Sequence, residues 1–313
     1  MQIINFTDAH LPQAAALQRQ NHAEARRALP LLPEPERFPD LSIFARKNMG
    51  AAALEDGKLL GYLCSYHAAK NPIGIQGIKG AWSPLQAHAA VPEGRQDIYR
   101  RLYEAAARRW VDAGAVWHAV TLYAHDKEAQ EAFFGYGFGL RHMEAVRAVT
   151  AESPQAQDCQ FAELPYADFA QVVPFVKLLD AHLRESPCFL PRARRTKKDL
   201  LRRMQEDNSR VFVVRKAHRL IGCMEIRAGG ESFYCAHEGT QNICNAYLLP
   251  AYRGRGIYEA LLRFVQNTLH SEGVARLCVD FESANPTAHG FWLKHFTPYS
   301  ASVARRIDIR ICF

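Results

Sequence analysis

The sequence of 313 residues has no long hydrophobic run. No segment approaches the ~18 uninterrupted apolar residues of a membrane-spanning helix, so we expect no such helix. The first residues lack the basic and apolar regions of a secretory signal, which favours a cytoplasmic location. With 48% hydrophobic and 23% charged residues, the composition is that of an ordinary globular protein and excludes a disordered or fibrous chain.

Metal and nucleotide motifs are also missing. The eight cysteines are scattered and none forms a C-x-x-C pair, so we expect no zinc site and no other metal. Cys64, Cys223, Cys244 and Cys278 fall in apolar strand-like runs, where a reduced cysteine behaves as a small hydrophobic residue. No G-K-S/T follows a glycine loop, which argues against a nucleotide triphosphatase.

The net charge of +7 is compatible with nucleic acid, a membrane surface or an anionic ligand. The densest basic cluster spans residues 191–203, and Leu200, Leu201 and Met204 form an apolar stripe behind it. This pattern favours a solvated helix face over an electropositive rim. A nucleic-acid-binding protein is a weaker alternative, because no aromatic residues alternate with the basic ones.

A glycine loop between a strand and a helix is the most informative local feature. An apolar run at residues 243–249 ends at Pro250, and helical spacing of apolar residues begins at Ile257. Between them stand Arg253, Gly254, Arg255 and Gly256. Free amide hydrogens and the positive end of the helix dipole favour an anion there, and glycine lets the backbone approach it closely.

This loop resembles the pyrophosphate loop, Q/R-x-x-G-x-G/A, of the GNAT superfamily of N-acetyltransferases. Arg253 and Gly256 match its first and fourth positions, whereas Tyr258 departs from its last. The resemblance implies an N-acyltransferase that uses an acyl-CoA, most naturally acetyl-CoA, as co-substrate. The cofactor-binding residues that it implies are Tyr247, Leu248, Leu249, Arg253, Gly254, Arg255, Gly256, Ile257, Tyr258 and Asn285.

An internal repeat extends this resemblance over nearly the whole chain. Ile98 and Tyr99 recur as Ile257 and Tyr258, 159 positions later, and other residues match in the same register. These further pairs are Gly114 with Gly273, Leu122 with Phe281, Asp126 with Asn285, Ala129 with Ala288, Phe133 with Trp292 and Arg147 with Arg306. At a slightly longer offset, Leu60 and Gly61 match Ile221 and Gly222. So many pairs indicate two copies of one unit.

The fold class that follows is α/β, with two tandem GNAT-like domains. Each is expected to be a mixed, mostly antiparallel twisted sheet flanked by helices. The polar stretch at 150–157 suggests a boundary between an N-terminal domain, 1–150, and a C-terminal domain, 151–313. In the second copy we expect helices at 169–184 and 197–206 and a last strand at 302–311.

The two copies differ at the loop. In the first copy Asp97 takes the position of Gly256, and a carboxylate there would repel a phosphate. We therefore interpret the first domain as degenerate and the second as the one with the acyl-CoA loop. Tyr99 recurs in the copy without the phosphate loop, so Tyr258 is better explained by helix packing than by cofactor chemistry.

The second family signature, N-x-x-A before a helix, resembles the segment from Asn285 to Ala288. Asn285 suits a helix cap, and the resemblance also implies contact with the pantetheine arm. Seven residues later, where the family often has a tyrosine that protonates the leaving thiolate, Trp292 stands, with Phe133 in the first copy. Tyr299 is the replacement candidate for this acid.

Direct acyl transfer needs a neutral amine and hence a base. Glu238 is the first candidate, followed by His237 and Glu225. The resemblance also implies a backbone amide near Tyr247 or Leu248 that meets the oxyanion.

The predicted activity is acyl transfer to a primary amine of a small molecule or peptide, without nucleic acid or membrane partners. An acyl-CoA-binding pseudoenzyme or sensor is the alternative. The sequence leaves the acceptor open.

Overall fold

The chain divides into two compact units, each defined by its internal contacts. The computed structural model describes residues 1–66, 69–70, 77–153, 158–192 and 194–311. The first unit comprises Met1–Met143 and Pro298–Phe313, and the second comprises Glu144–Thr297. Among the residues described, no helix combines the length and apolarity needed to span a bilayer. A boundary between residues 150 and 151 stays a prediction.

The first unit alternates strands and helices. Its elements are β1 Gln2–Asn5, α1 Leu11–Ala28, α2 Ser42–Ala45, β2 Ala51–Glu55, β3 Lys58–Leu63, β4 Ala69–Lys70, β5 Lys79–Ser83, β6 His88–Ala90, α3 Arg95–Asp112, β7 Trp117–Tyr123, α4 Lys127–Phe134 and β8 Gly139–Ala148, whose residues from Glu144 onward belong to the second unit. Strands β1, β2, β3 and β6 form an antiparallel sheet in that order. A second group pairs β4 with β5 antiparallel and β5 with β7 parallel.

The second unit repeats much of this order. Its elements are β9 Gln160–Leu164, α5 Val173–Arg184, α6 Lys197–Glu206, β10 Arg210–Lys216, β11 Arg219–Ala228, β12 Thr240–Leu248, α7 Ile257–Ser271, β13 Arg276–Glu282 and α8 Pro286–His295. The last strand, β14 Thr297–Arg306, belongs to the first unit from Pro298 onward and pairs there with β7 from Ser300 to Arg306. Strands β9 to β12 are antiparallel neighbours, and β12 pairs with β13 in parallel. The predicted fold class, mixed and mostly antiparallel sheets flanked by helices, is confirmed.

Helices cover the sheet of the second unit because its central strands are apolar on both faces. In β10 the run from Val211 to Val214 is fully buried. Leu200 and Met204 of α6 pack with Val211 and Val213, whereas Phe212 contacts Phe264 of α7. Helix α6 therefore has, opposite its basic face, the apolar stripe that its sequence predicts.

Matched positions of the two copies have matched structural roles. Asp126 and Asn285 cap α4 and α8 through hydrogen bonds from the amides of Ala129 and Ala288. Phe133 and Trp292 are both buried. These equivalences support a duplicated unit.

Gly61 in the first copy and Gly222 in the second both leave no room for a side chain. A Cβ on Gly61 would lie 2.8 Å from Ile98 Cγ2, and one on Gly222 would lie 2.8 Å from Leu248 Cδ1. Side chains at these two positions would therefore push neighbouring elements apart.

Two local expectations need correction. The last strand covers Thr297–Arg306, not residues 302–311, and a short 3-10 helix, Ile309–Ile311, follows it. In the first unit, α3 already begins at Arg95, after Gly94 in the left-handed conformation. Asp97 therefore lies in the first turn of the helix, where it forms an exposed ion pair with Arg101, and not in the preceding loop.

Two buried histidines of the first unit make its stability depend on pH. Burial lowers the pKa of His88 and of His118 to about 4. In the unfolded chain a histidine titrates near pH 6.5. Between these values the unfolded state binds more protons, so stability should fall as the pH is lowered from about 6.5 toward 4.

We expect the urea midpoint of the wild type to decrease from pH 7 to pH 5. His88→Gln removes one of the two titrating groups, so its midpoint should decrease less over the same interval, even if it starts lower. Equal decreases in the two proteins would contradict this assignment.

Candidate active site

The site begins where two parallel strands separate. The pairing of β12 with β13 runs from Thr240 and Arg276 to Ile243 and Val279. On the other edge of β12 the register with β11 shifts by one residue at Cys244, which forms a β-bulge. A bulge bends its strand and increases the local twist. Beyond it, β12 and β13 diverge and leave an opening at their carboxyl ends.

The glycine loop enters this opening at the start of α7. Gly254 and Gly256 have φ values of 70° and 72°, in the left-handed region that glycine adopts without strain. Gly256 is the residue that directly precedes α7. Arg253 is fixed by a 3.0 Å hydrogen bond from its Nε to the Leu248 carbonyl, and its guanidinium lies over the Tyr247 ring. The amides of the first turn are thus presented to the opening.

A cavity of about 470 Å³ lies between these elements. Residues from β12, the loop, α7, α5 and α8 line it. They are Leu179, His182, Ala246, Tyr247, Leu248, Tyr252, Arg253, Gly254, Gly256, Ile257, Tyr258, Glu259, Asn285, Thr287, Ala288, Phe291, Trp292 and Lys294. Eight of the ten predicted cofactor-binding residues are among them.

The other two predicted cofactor residues lie beside this cavity. Leu249 packs against the core under α5, and its amide donates to the Ile221 carbonyl. Arg255 is exposed. Its guanidinium is therefore accessible to an anion that binds at the start of α7.

Asn285 connects two helices at the wall of the cavity. Its Oδ1 accepts hydrogen bonds from the amide of Ala288 and from Thr287 Oγ1 at 2.8 Å. His182 Nε2 of α5 lies 3.3 Å from the same oxygen. The sequence did not identify His182, because nothing local relates it to a capping residue 103 positions away.

Trp292 and Tyr258 pack together at the wall of the cavity. Trp292 lines the wall at the position predicted from the sequence. Tyr258 donates its hydroxyl to the Cys223 carbonyl at 3.0 Å and packs edge-on against Phe291 and Trp292. Burial raises its pKa well above the ordinary value. These contacts support the packing role that we predict for Tyr258.

The two catalytic candidates lie elsewhere. Glu238 is exposed in the turn before β12, and His237 Nδ1 contacts its carbonyl oxygen. Tyr299 is buried in the first unit, where its carbonyl accepts from the Ala124 amide. Neither belongs to the residues that line the cavity, and their catalytic roles stay predictions.

Glu225, the third candidate base, is held in a buried network. Arg203 donates to its two oxygens at 2.8 and 2.9 Å, Ser209 Oγ at 2.7 Å and Asn245 Nδ2 at 2.6 Å. A carboxylate with four hydrogen bonds is well placed to fix α6 against β11 and β12.

The basic cluster at 191–203 is partly neutralised within the unit. Arg203 pairs with Glu225, and Arg192 and Arg195 both pair with Asp180. These ion pairs favour a structural role for a large part of the cluster over contact with nucleic acid.

The helix cap of the first unit belongs to a buried ion cluster. Arg95 is 6% exposed and donates to Glu24 at 2.7 Å and to Asp126 at 3.1 Å. Its guanidinium also donates to the carbonyls of Ala90 and Val91. Asp126 is the counterpart of Asn285, so in the first unit a buried guanidinium pairs with the helix cap.

Solved structures with this fold include three acetyltransferases. A GCN5-related N-acetyltransferase from Sphaerobacter thermophilus aligns with 97% of this chain and 95% of its own, at 13% identity and a TM-score of 0.59. A GNAT-family acetyltransferase from Colwellia psychrerythraea aligns over 98% and 100%, at 12% identity and 0.51. A glucosamine N-acetyltransferase region of a fungal β-N-acetylglucosaminidase aligns over 97% and 38%, at 13% and 0.50. These likenesses show the fold.

The fold is therefore an α/β fold shared with known acetyltransferases. Residues 176–296 match the acetyltransferase (GNAT) family, and this part of the chain is a domain of that family, as the motifs predict. The match supports an N-acetyltransferase. No curated protein sequence matches the chain.

Metal ligands are not grouped in the part of the chain that the structure describes. No set of three or more His, Cys, Asp or Glu side chains there could hold an ion.

The Glu225 network generates a stability prediction. Glu225 is 2% exposed, so Arg203→Met should leave a buried carboxylate without its counter-charge and lower the free energy of unfolding by about 3 kcal/mol. Arg202→Met is the matched control, because the Arg202 side chain is 65% exposed and its ion pairs are superficial. We expect a change below about 0.5 kcal/mol for the control. Urea denaturation measures both, and similar losses would contradict the role of Arg203.

Proposed function

We propose that the protein is an acyl-CoA-dependent N-acyltransferase, with acetyl-CoA as the natural donor, and that its second unit binds the donor. The amine acceptor attacks the thioester directly. The observation that carries this proposal is that two parts of the second unit line one cavity. One is the start of α7 with its free amides, and the other is the segment of β12 beyond its pairing with β13.

The residues of the loop fit a pyrophosphate. A Cβ on Gly254 would meet no atom within 4 Å, so a ligand can approach the backbone at this point. The positive end of α7, whose 15 residues give a full dipole, favours the anion. Arg255 is exposed beside it and can add a charged hydrogen bond. Lys294 lines the same cavity and can pair with a further phosphate.

The remaining cavity residues fit the acyl-bearing arm. Ala246, Tyr247 and Leu248 belong to the segment of β12 that has separated from β13. On the edge of this segment that no longer pairs with β13, backbone groups other than the Leu248 carbonyl, which accepts from Arg253, can meet the amide groups of a pantetheine arm. A backbone amide near Tyr247 or Leu248 is the candidate donor to the oxyanion. Asn285 can orient the arm from the opposite wall.

The reaction needs a neutral amine and a leaving thiolate. A base must take a proton from the acceptor ammonium before its nitrogen attacks the carbonyl carbon. Glu238 and Tyr299 are the base and acid suggested by the sequence. With Trp292 in the usual acid position, the thiolate can also leave without a donated proton, since it is a tolerable leaving group.

Trp292 in place of the usual tyrosine favours a second candidate, an acyl-CoA-binding sensor without turnover. CoA release from acetyl-CoA in the presence of an amine library separates the two functions. We expect CoA release with at least one amine. Tight acetyl-CoA binding without CoA release across the library would identify a sensor instead.

A glycine substitution tests the donor site. We expect Gly256→Asp to weaken acetyl-CoA binding at least ~100-fold, because a carboxylate facing a phosphate costs several kcal/mol at the surface of a protein. The matched control is Gly94→Asp, which places the same side chain on the left-handed glycine before α3 in the first unit.

Isothermal titration measures both variants, with circular dichroism to verify folding. The control should bind acetyl-CoA like the wild type. Unchanged affinity in a folded Gly256→Asp protein would remove this loop from the donor site.

The acceptor is proposed to be an amine of a small molecule or peptide. A cytoplasmic location and the absence of nucleic-acid and membrane partners stay predictions.

A further inference from the structure

Asp280 occupies the point at which the two parallel strands separate. It directly follows Val279, the last residue of β13 that pairs with β12. Side chains alternate along a strand, and Phe281 faces α8, where it contacts His289. Asp280 therefore faces the opposite side of the sheet, away from α8. Its side chain is only partly buried and can be reached by a small molecule.

Polar and charged groups from several elements surround this carboxylate. Asn242 of β12 donates its Nδ2 to Asp280 Oδ1 at 3.0 Å. Arg227 of β11 and Arg192, which precedes α6, both attract its negative charge, and Cys244 of the bulge lies in the same Coulombic range. The apex of the opening thus combines one carboxylate with two guanidinium groups.

Arg192 is positioned rather than free to move away. Its Nε donates to Asp180 Oδ1 of α5 at 3.1 Å, and its side chain is still 30% exposed. The same Asp180 carboxylate also pairs with Arg195. Two guanidinium groups therefore share one buried carboxylate, and the exposed part of Arg192 can still meet an anion.

We propose, on the basis of the function proposed above, that the acceptor carries a primary amine and a carboxylate, as an amino acid does. Asp280 receives the amine at the apex of the opening, and Arg192 binds the carboxylate. An amine alone would make no use of Arg192, and an anion alone would be repelled by Asp280.

The acceptor nitrogen loses two protons during the reaction. The acceptor ammonium transfers one proton to Asp280, and its nitrogen lone pair forms a bond to the thioester carbonyl carbon. As the C–S bond breaks, the sulfur keeps the electron pair. The second proton lost by nitrogen neutralises the thiolate through solvent, and Asp280 returns its own proton to solvent. The products are the amide, free CoA and one proton.

The environment of Asp280 has opposing effects on its pKa. Burial raises the pKa, and the hydrogen bond from Asn242 and the charges of Arg227 and Arg192 oppose that increase. A raised pKa favours proton uptake from the acceptor ammonium. The Cys244 thiol on the neighbouring strand stays protonated, because burial raises its pKa.

Matched acceptor pairs test the substrate class. Wild-type protein is given acetyl-CoA with phenylalanine or phenethylamine, tyrosine or tyramine, arginine or agmatine, and lysine or cadaverine, and CoA release is recorded. For at least one pair, kcat/KM should be about tenfold or more higher with the amino acid. Arg192→Gln should remove this preference through KM. A preference for the decarboxylated amines, or acetyl-CoA binding without stimulation by any member, would overturn the acceptor class.

A second experiment tests Asp280 itself with the best acceptor. Asp280→Asn can still accept the hydrogen bond from Asn242, and we expect kcat/KM to fall by ~10²-fold or more and the acidic limb of its pH profile to disappear. Asp158→Asn is the matched control, because the Asp158 side chain is 96% exposed, and it should retain full activity. Loss of activity in Glu238→Gln, with full activity in Asp280→Asn, would overturn the assignment.

Acetyl-CoA affinity separates this inference from the function on which it rests. Asp280→Asn should bind acetyl-CoA like the wild type, because Asp280 faces away from α8. If the wild type itself fails to bind acetyl-CoA, the proposed function is wrong. If binding is normal and the variant is fully active, only the role of Asp280 is wrong.

Discussion

The separation of β12 from β13 after Ile243 and Val279 is the constraint on which the site depends. Parallel strands normally continue their hydrogen bonds to the edge of the sheet, and the bulge at Cys244 ends them early. The opening receives the start of α7 from one side and exposes Asp280 on the other. Under the proposed function, donor and acceptor would meet at this apex.

The two copies share one framework but differ in what surrounds the helix cap. Both place a left-handed glycine before the central helix, at Gly94 and Gly256, and both cap the next helix with a side chain, Asp126 or Asn285. In the first copy Arg95 completes an ion cluster with that cap. In the second copy Asn285 lines a cavity of about 470 Å³. The cap thus pairs with a buried guanidinium in one unit and borders a cavity in the other.

Buried ion pairs also stabilise the second unit. Asp180 and Glu225 each hold arginines of the basic cluster, and both carboxylates are buried. Burying an ion is unfavourable unless it is paired, so these pairs fix α5 and α6 on the sheet. The cluster that suggests a binding surface in the sequence is to a large extent part of the scaffold.

The sequence by itself determined the fold class, the loop before α7 and the cap at Asn285, because each follows from short motifs and local periodicity. The duplication is visible in the sequence as matched residues 159 positions apart. The sequence misjudged Asp97, since the start of a helix shifts with little local signal. Only the tertiary structure decided that His182 reaches Asn285, that Arg95 pairs with Asp126 and that Asp280 stands at the apex. Those contacts join distant segments through packing, and no local pattern encodes them.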